Sequence, residues 1–288
     1  MIMLVNLIIL PESEKSFLNG RNVMRFVSLA SGSSGNCTYV GSESTHILVD
    51  AGTSKKRIVE GLNTLGLDLC DIDAFFITHE HSDHINALHT ILKKHDIPVY
   101  ATNGTIQGIK LSDKKNDMAE SEFITVKADK KVIVKDLIIN PMTISHDAAE
   151  PVGYRISYGD KKVAVATDLG CYNDYTVECL KDMDAILLEA NHDIRMLEAG
   201  PYPYPLKRRI LGERGHLSNE MSSELLNKIL NDHMKGIFLG HLSKENNMPE
   251  LAYETVRMGI DMADNMYHSS DFNLIVAERT SISQVVEV

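Results

Sequence analysis

The chain has 288 residues, of which 43% are hydrophobic and 24% charged, and its formal net charge at pH 7 is −11. This composition is ordinary for a globular protein with one large core or two smaller ones. The acidic balance argues against a surface that binds nucleic acid over its whole extent, but it leaves room for a local basic track beside a site.

The N-terminal segment does not resemble an export signal. Its first ten residues are apolar, but they lack a basic start and are too short to cross a bilayer. We interpret residues 1–23 as an extension that is either disordered or the product of an upstream start codon, and we expect one domain over 24–288. The four cysteines have no Cys-x-x-Cys spacing, which favours reduced thiols and a cytoplasmic protein without membrane attachment.

Short apolar runs separated by Gly, Asn, Asp and Ser predict a succession of strands and helices. In chain order, the first half predicts strands at 25–30, 37–40, 46–49, 72–77 and 99–101, with helices at 54–65 and 85–94. The second half predicts strands at 124–126, 132–134, 137–139, 153–157, 163–166, 185–188, 237–239 and 274–277, with helices at 174–181, 218–230 and 249–262. A Pro-rich loop is expected near residues 201–205. Strands followed by helices, twice over, predict a mixed α/β (α+β) fold in the form of a four-layer αββα sandwich.

A dense cluster of potential ligands follows the strand predicted at 72–77. His79, His81, Asp83 and His84 form the pattern His-x-His-x-Asp-His. A turn at a strand end can aim such side chains at one point, and imidazoles with a carboxylate suit zinc, manganese, iron or nickel better than calcium or magnesium. The mixture also suits two ions. The alternative is a polar loop that is merely rich in His, but this spacing rarely arises by chance.

Four further polar residues stand at or just beyond the ends of predicted strands or, for His146, of the apolar segment 137–144, in the same position as the motif. These are Asp50, His146, Asp168 and His241. Any one of them could be a turn or capping residue. Five strand ends with His or Asp, one of them already a strong metal motif, favour ligands that meet at one edge of the fold.

The order His-x-His-x-Asp-His, then His, Asp and His resembles the metallo-β-lactamase superfamily, whose fold is the αββα sandwich. The resemblance extends over nearly all of the chain from Met24 onward. It implies two divalent ions, zinc or manganese with iron possible, and Asp50 as the acid that orients a ligand His. The implied ligands are His79, His81 and His146 for one ion, Asp83, His84 and His241 for the second, and Asp168 as the bridge.

Three segments, 28–37, 188–193 and 215–219, resemble the YycJ/WalJ-like group of bacterial proteins. That group is related to the tRNase Z-like nucleases and is associated with exonuclease action on DNA. In tRNase Z-like enzymes a strand-end Glu pairs with a His at a helix start, and Glu189 and His216 stand in those places. The resemblance implies that His216, held by Glu189, donates a proton to the leaving oxygen. The implied catalytic residues are Asp83, Asp168, Glu189 and His216.

Candidate substrate contacts surround this pair. The basic run 207–209 could follow a phosphate backbone, although such runs are more often solvated faces. A Gly/Ser-rich turn at 33–36 could donate backbone N–H groups to phosphate, or could be a plain hairpin turn. His192 is expected at the rim of the site, beside Glu189. The candidate contacts are Ser34, Asn36, His192, Arg208 and Arg209.

Together with the metal motif, the resemblance implies a dinuclear metal-dependent phosphodiesterase, a 5′-to-3′ DNA exonuclease of DNA repair or maintenance. The alternative is a hydrolase that uses the same metals on a small thioester, lactone or cyclic phosphate. A metal-sensing or scaffold protein without enzymatic activity is a third possibility, disfavoured because all seven ligand positions are filled. The sequence leaves the metal, the choice between DNA and RNA, the end preference and the oligomeric state open.

Overall fold

Two seven-stranded sheets lie face to face in the computed structural model, which describes residues 23–113, 118 and 122–288. The strands are β1 (Arg25–Ala30), β2 (Cys37–Gly41), β3 (His46–Val49), β4 (Ala74–Phe76), β5 (Val99–Ala101), β6 (Phe123–Thr125), β7 (Val132–Val134), β8 (Leu137–Thr143), β9 (Val152–Tyr158), β10 (Lys161–Ala166), β11 (Ala185–Glu189), β12 (Gly236–Gly240), β13 (Leu274–Val276) and β14 (Val286–Glu287). The helices are α1 (Lys55–Thr64), α2 (Ser82–Ile85), α3 (Leu88–Leu92), α4 (Asn103–Ser112), α5 (Asp174–Leu180), α6 (Ile194–Ala199), α7 (Tyr204–Ile210), α8 (Asn219–Ile229) and α9 (Pro249–Asp261), with 3₁₀ turns at Leu69–Asp71 and Ser269–Asp271.

The two sheets have the same internal plan. The first has the order β14-β1-β2-β3-β4-β5-β6, and the second has the order β13-β12-β11-β10-β9-β8-β7. In the first sheet β14 to β3 pair antiparallel and β3 to β6 pair parallel. In the second sheet β13 to β10 pair parallel and β10 to β7 pair antiparallel. Each sheet thus has a parallel half whose strands end at a common edge.

The central strands are buried on both faces, which explains their continuous apolar runs. In β12, Phe238 lies in the core between the sheets, whereas Ile237 and Leu239 pack with helices α8 and α9. The ring of Phe238 meets that of Phe26 across the two sheets at 5.5 Å, edge to face. Helices α1 to α4 cover the first sheet in the same way, so the predicted αββα sandwich is confirmed.

Several local predictions differ from the structure. The helix predicted at 85–94 is two short helices, α2 and α3, because the Ala87 N–H donates to the Ala51 carbonyl and leaves the helical ladder. Helix α4 was not predicted because its sequence contains two Gly and little helix-forming character. Its Gly108 lets the side chain of Glu80 approach, since a Cβ there would lie 2.4 Å from the Glu80 Cγ.

The predicted Pro-rich loop is partly wrong, since helix α7 begins at Tyr204 with Pro205 in its first turn. Proline is tolerated there because first-turn N–H groups have no helical partner. The short strand β14 was also not predicted, and it pairs with β1. Residues 1–22 of the predicted extension lie outside the described residues, and the single domain over 24–288 stays a prediction. In the part of the chain that the structure describes, none of the helices has the length and apolar character needed to span a membrane.

Candidate metal centre

The strand ends converge because the backbone turns sharply just where the polar side chains stand. Asp50, Asp168 and His241 have φ angles of 63°, 59° and 56°, in the left-handed region. Asp and His tolerate this region better than most residues, although it costs about 1–3 kcal/mol at each position. Asp50 follows β3 of the first sheet, whereas Asp168 and His241 follow β10 and β12 of the second sheet. The three side chains therefore lie where the parallel strands of the two sheets end.

Three histidines form one group of ring nitrogens. Nε2 of His79 lies 3.1 Å from Nδ1 of His81, and Nε2 of His146 lies 3.3 Å from the same atom. Ligand atoms around a tetrahedral ion, each about 2.1 Å from it, lie about 3.4 Å apart, so the spacing fits one ion. Burial lowers the pKa of His79 well below its ordinary value and also lowers that of His146, which favours the neutral imidazoles that bind metal. The Gly215 carbonyl, 3.2 Å from His146 Nδ1, accepts its proton and leaves Nε2 for the ion.

A second group consists of Asp83, His84 and His241. Oδ2 of Asp83 lies 3.7 Å from Nε2 of His84 and 3.3 Å from Nε2 of His241. Burial opposes the charged form of Asp83, but His84 and His241 outweigh it and lower the pKa of the carboxyl to about 2. The carboxylate is therefore charged at any physiological pH.

Asp168 lies between the two groups. Its carboxylate oxygens are 3.3 Å from His84 Nε2, 3.6 Å from His241 Nε2 and 3.7 Å from His146 Nε2. Oδ2 is buried and lacks a hydrogen-bond partner of good geometry among the described residues. Burial alone would raise the pKa of Asp168, but the neighbouring imidazoles hold it well below its ordinary value. An ionised carboxylate with an unsatisfied buried oxygen fits a residue that binds cations.

The donor set fits divalent metal. The seven side chains supply five imidazoles and two carboxylates, and ligand atoms in each cluster lie within 4.8 Å of one another. Imidazole nitrogens and carboxylate oxygens that converge at this spacing are the donor types that divalent transition metals bind. The structure thus brings together all seven ligands predicted from the sequence, which are His79, His81, Asp83, His84, His146, Asp168 and His241.

Asp50 lies behind the second group and contacts it through His84. Its Oδ2 lies 2.8 Å from His84 Nδ1, and its Oδ1 accepts from the Thr78 N–H at 2.8 Å and from the Thr78 hydroxyl at 3.0 Å. Burial would lower the pKa of His84, but Asp50 and the other carboxylates raise it well above the ordinary value. The Asp50 contact holds one proton on His84 Nδ1, so Nε2 is the nitrogen that would release its proton to bind metal.

We expect the substitution Asp50→Asn to weaken divalent metal binding about 10- to 100-fold, because an amide still bonds Thr78 but no longer holds the His84 proton as a charged acceptor. The measurement is calorimetric titration of zinc and manganese into chelator-treated protein. Asp73→Asn is the matched control, since Asp73 also accepts from a strand N–H, that of His46, and pairs with Lys135 on the surface. Equal affinities in Asp50→Asn and the wild type would contradict the role of Asp50.

Glu189 holds two histidines at once, a relationship that the sequence did not reveal. Its Oε1 lies 2.8 Å from Nδ1 of His216 and 2.8 Å from Nδ1 of His241. Its Oε2 accepts from the backbone N–H groups of Leu169, at 2.7 Å, and Leu217, at 3.2 Å. Burial opposes its charge, but His216 and His241 hold the pKa of Glu189 below its ordinary value. One buried carboxylate therefore aligns a candidate metal ligand, His241, and a cavity histidine, His216.

A cavity of about 210 Å³ opens onto these groups. Its wall includes His81, Asp168 and His216 together with Arg209 and Tyr202. Of the predicted substrate contacts, Arg209 therefore lies at the cavity. Arg208 points its guanidinium over the ring of Tyr204, at 6.0 Å from the ring centre, and is not part of the wall.

The other predicted contacts lie differently. In the 33–36 turn it is Ser33 that lines the cavity, whereas Ser34 is exposed but is not part of the wall. Asn36 is buried, and its Nδ2 donates to the carbonyls of Gly32, at 3.2 Å, and Asp83, at 3.3 Å, so it braces the ligand loop. The rim position expected for His192 is wrong: this side chain is 1% exposed. Burial lowers the pKa of His192 to about 4, so its ring is neutral.

Several residues that the sequence does not assign to the site support the centre. Arg214 donates from Nε, at 3.2 Å, and from Nη2, at 3.0 Å, to the His146 carbonyl. The Asn191 side chain donates to the His241 carbonyl at 2.9 Å, and the Ser31 hydroxyl accepts from the His241 N–H at 2.8 Å. In the sequence, Ser31 and Asn191 stand just after predicted strands, whereas Arg214 lies upstream of the helix predicted at 218–230.

Comparison with known proteins places the chain among proteins of related fold and sequence. Residues 45–235 match the family model of the beta-lactamase superfamily domain. The chain is 39% identical to the exodeoxyribonuclease WalJ of Streptococcus pneumoniae serotype 2 over 240 residues, which cover 83% of this chain and 89% of that protein. It is also 39% identical to the exodeoxyribonuclease YycJ of Bacillus anthracis over 233 residues, which cover 81% of this chain and 88% of that protein.

Solved structures share the fold at lower identity. Zn²⁺-bound PqqB from Methylobacterium extorquens aligns with a TM-score of 0.68 at 17% identity, over 90% of this chain and 99% of that one. The short form of human tRNase Z aligns with a TM-score of 0.59 at 17% identity, over 90% of this chain and 98% of that one. At this identity the likeness concerns the fold alone.

Proposed function

Because the chain belongs to the metallo-β-lactamase superfamily, as a relative of the exodeoxyribonucleases WalJ and YycJ, we propose that it is a dinuclear metal-dependent phosphodiesterase that degrades DNA from the 5′ end. The observation that carries this proposal is the contact between Glu189 and His216 beside the two ligand groups. A role in DNA repair or maintenance follows from such an activity.

We assign each ligand group to one ion, zinc or manganese, with iron also compatible with the donors. When bound, the ions lower the pKa of a water toward ~7 and offset negative charge on the phosphoryl oxygens. His79, His81 and His146 would hold the first ion and Asp83, His84 and His241 the second, with Asp168 within reach of both.

His216 supplies the proton that the leaving oxygen needs. Its Nδ1 donates to Glu189, which leaves Nε2 as the nitrogen available to the cavity that the ring lines. The ionised Glu189 accepts the Nδ1 proton and holds the ring in one orientation toward the cavity. A phosphodiester releases an alkoxide, which gains more from an acid than the thiolate released by a thioester.

The surroundings of His216 also suit a phosphate. Two residues after it, the Ser218 hydroxyl caps helix α8 by accepting from the Met221 N–H at 3.2 Å. The first N–H groups of a helix carry partial positive charge that favours anions. The cavity is small for a whole ligand, which agrees with a substrate of which only one end enters.

We expect His216→Ala to lower kcat for oligonucleotide degradation about 10²- to 10⁴-fold while two ions per chain are retained, because only the proton donor is lost. DNA labelled at the 5′ or 3′ end measures both rate and polarity, and elemental analysis measures the ions. His233→Ala is the control, since His233 is an exposed histidine near the end of α8. Undiminished turnover in His216→Ala would remove the proton-donor role.

The same preparation separates the proposed activity from the alternative on small substrates. A panel of DNA, RNA, a lactone, a thioester and a cyclic nucleotide is offered with zinc and with manganese. We expect DNA to be degraded fastest. Faster turnover of the lactone or thioester, without loss in His216→Ala, would favour a small-molecule hydrolase instead.

A further inference from the structure

Arg209 and Asp147 form a clasp at the wall of the metal-centre cavity. Nη2 of Arg209 donates to Oδ1 of Asp147 at 2.9 Å, and Nε donates to Oδ2 of the same carboxylate. Asp147 directly follows the ligand His146, and Arg209 stands in the last turn of α7. The pair thus fixes a guanidinium beside the ligands of the first group.

We propose that Arg209, held in place by Asp147, binds a second phosphate of the substrate, one nucleotide away from the phosphate that is cleaved. This inference rests on the proposed phosphodiesterase function and names what that site selects: a diester that carries a neighbouring phosphate, as a nucleic-acid strand does and a small diester does not.

The geometry of the clasp leaves part of the guanidinium free for a ligand. Arginine has five N–H donors in a planar fork, and Asp147 occupies only the edge formed by Nε and Nη2. The Arg209 side chain is 49% exposed although it is paired, so a ligand can reach the edge that remains. A guanidinium held on one edge presents the other without further loss of side-chain freedom, which favours bidentate phosphate binding.

Arg209 provides the positive charge in the cavity that could bind this phosphate. Among the described residues that line the cavity, Arg209 is the one Lys or Arg side chain, whereas Asp83 and Asp168 are directed to the metal groups. The cleaved phosphate would lie at those groups. Arg209 lines the same cavity from the side of α7, and the Asp147 oxygen that holds it lies 3.5 Å from Nε2 of His146. The guanidinium therefore stands beside the first group, and we assign to it the phosphate next to the cleaved one.

Arg208 is a natural control for this assignment. It precedes Arg209 in the chain and carries the same charge, but its guanidinium stacks on the exposed ring of Tyr204, outside the cavity wall. A general attraction of DNA to the basic run 207–209 would involve both arginines equally. A phosphate subsite would involve Arg209 alone.

The test uses three thymidine dinucleotides with the metal-loaded protein: one without a terminal phosphate, one with a 5′-phosphate and one with a 3′-phosphate. For the wild type we expect a terminal phosphate on one side to raise kcat/KM about 10-fold, and the side shows which neighbour Arg209 receives. In Arg209→Gln this ratio should fall toward 1, and Arg209→Lys should restore it only in part, because lysine lacks the fork. Arg208→Gln should keep the wild-type ratio.

The outcomes separate the inference from the function on which it rests. If neither dinucleotides nor longer DNA are hydrolysed, the proposed function fails. If DNA is hydrolysed but neither terminal phosphate raises kcat/KM, or if Arg209→Gln keeps the wild-type ratio, the phosphate subsite is wrong. Melting temperatures of both glutamine variants verify the fold, and a ratio that falls equally in Arg208→Gln would also overturn the assignment.

Discussion

The substitution Asp168→Asn is expected to lower nuclease activity at least about 10⁴-fold, the scale seen when a central group of a catalytic unit is removed. Asp168 touches both ligand groups, with oxygens 3.3 Å from His84 and 3.7 Å from His146. An amide has the same shape and tolerates the same left-handed backbone, but it supplies one neutral oxygen in place of two charged ones. The measurement is degradation of end-labelled DNA, with metal content determined on the same sample.

The metal content makes this prediction specific. We expect fewer than two ions per chain in Asp168→Asn, because the carboxylate shared by the two groups is lost. Asp184→Asn is the matched control: Asp184 is also a buried aspartate at a strand end, but it accepts from the Lys162 N–H at 2.8 Å, at the opposite end of the sheet. If Asp168→Asn kept two ions and the wild-type rate, the assignment of a bridging carboxylate would be wrong.

The fold and the ligand set could be predicted because both leave local marks in the sequence. Strands buried on two faces appear as unbroken apolar runs, and the change to Asp or His at their ends marks the common edge. Asp50, Asp168 and His241 even show why those residue types are used, since each adopts a left-handed backbone that most side chains avoid. For these strand-end residues, the positions in space could therefore be read from the order of apolar and polar residues along the chain.

The features that escaped prediction depend on contacts between distant segments. The sequence shows neither that one oxygen of Glu189 contacts both His216 and His241, nor that Arg209 reaches the cavity while Arg208 does not. The turn of α7 decides the second case, because neighbours on a helix point about 100° apart. His192 was misplaced for a similar reason: the residues after β11 pack against the start of α8 instead of following the rim.

The substitution Glu189→Gln is expected to combine two defects that other variants show separately. The amide that replaces the carboxylate keeps one neutral oxygen and loses the charge that orients His216, a loss of up to about 10²- to 10⁴-fold in rate. The same loss of charge weakens the hold on Nδ1 of the predicted ligand His241, and loss of such a partner lowers metal affinity about 10- to 100-fold. At limiting metal the total loss should therefore exceed that of His216→Ala, and calorimetric metal titration with kcat at saturating metal separates the two parts.

A comparison of single and double variants tests whether the two defects share one carboxylate. At saturating metal, the rate of the double variant Glu189→Gln, His216→Ala should be close to that of His216→Ala alone, because both changes remove the same proton donor. Its metal affinity should instead match that of Glu189→Gln, since Glu189, and not His216, accepts the Nδ1 proton of His241. If the rate losses multiplied, or if Glu189→Gln bound metal as tightly as the wild type, Glu189 would not serve both histidines. The shared oxygen predicts that the proton donor and the second metal ligand fail together when Glu189 is lost, and separately when either histidine is replaced.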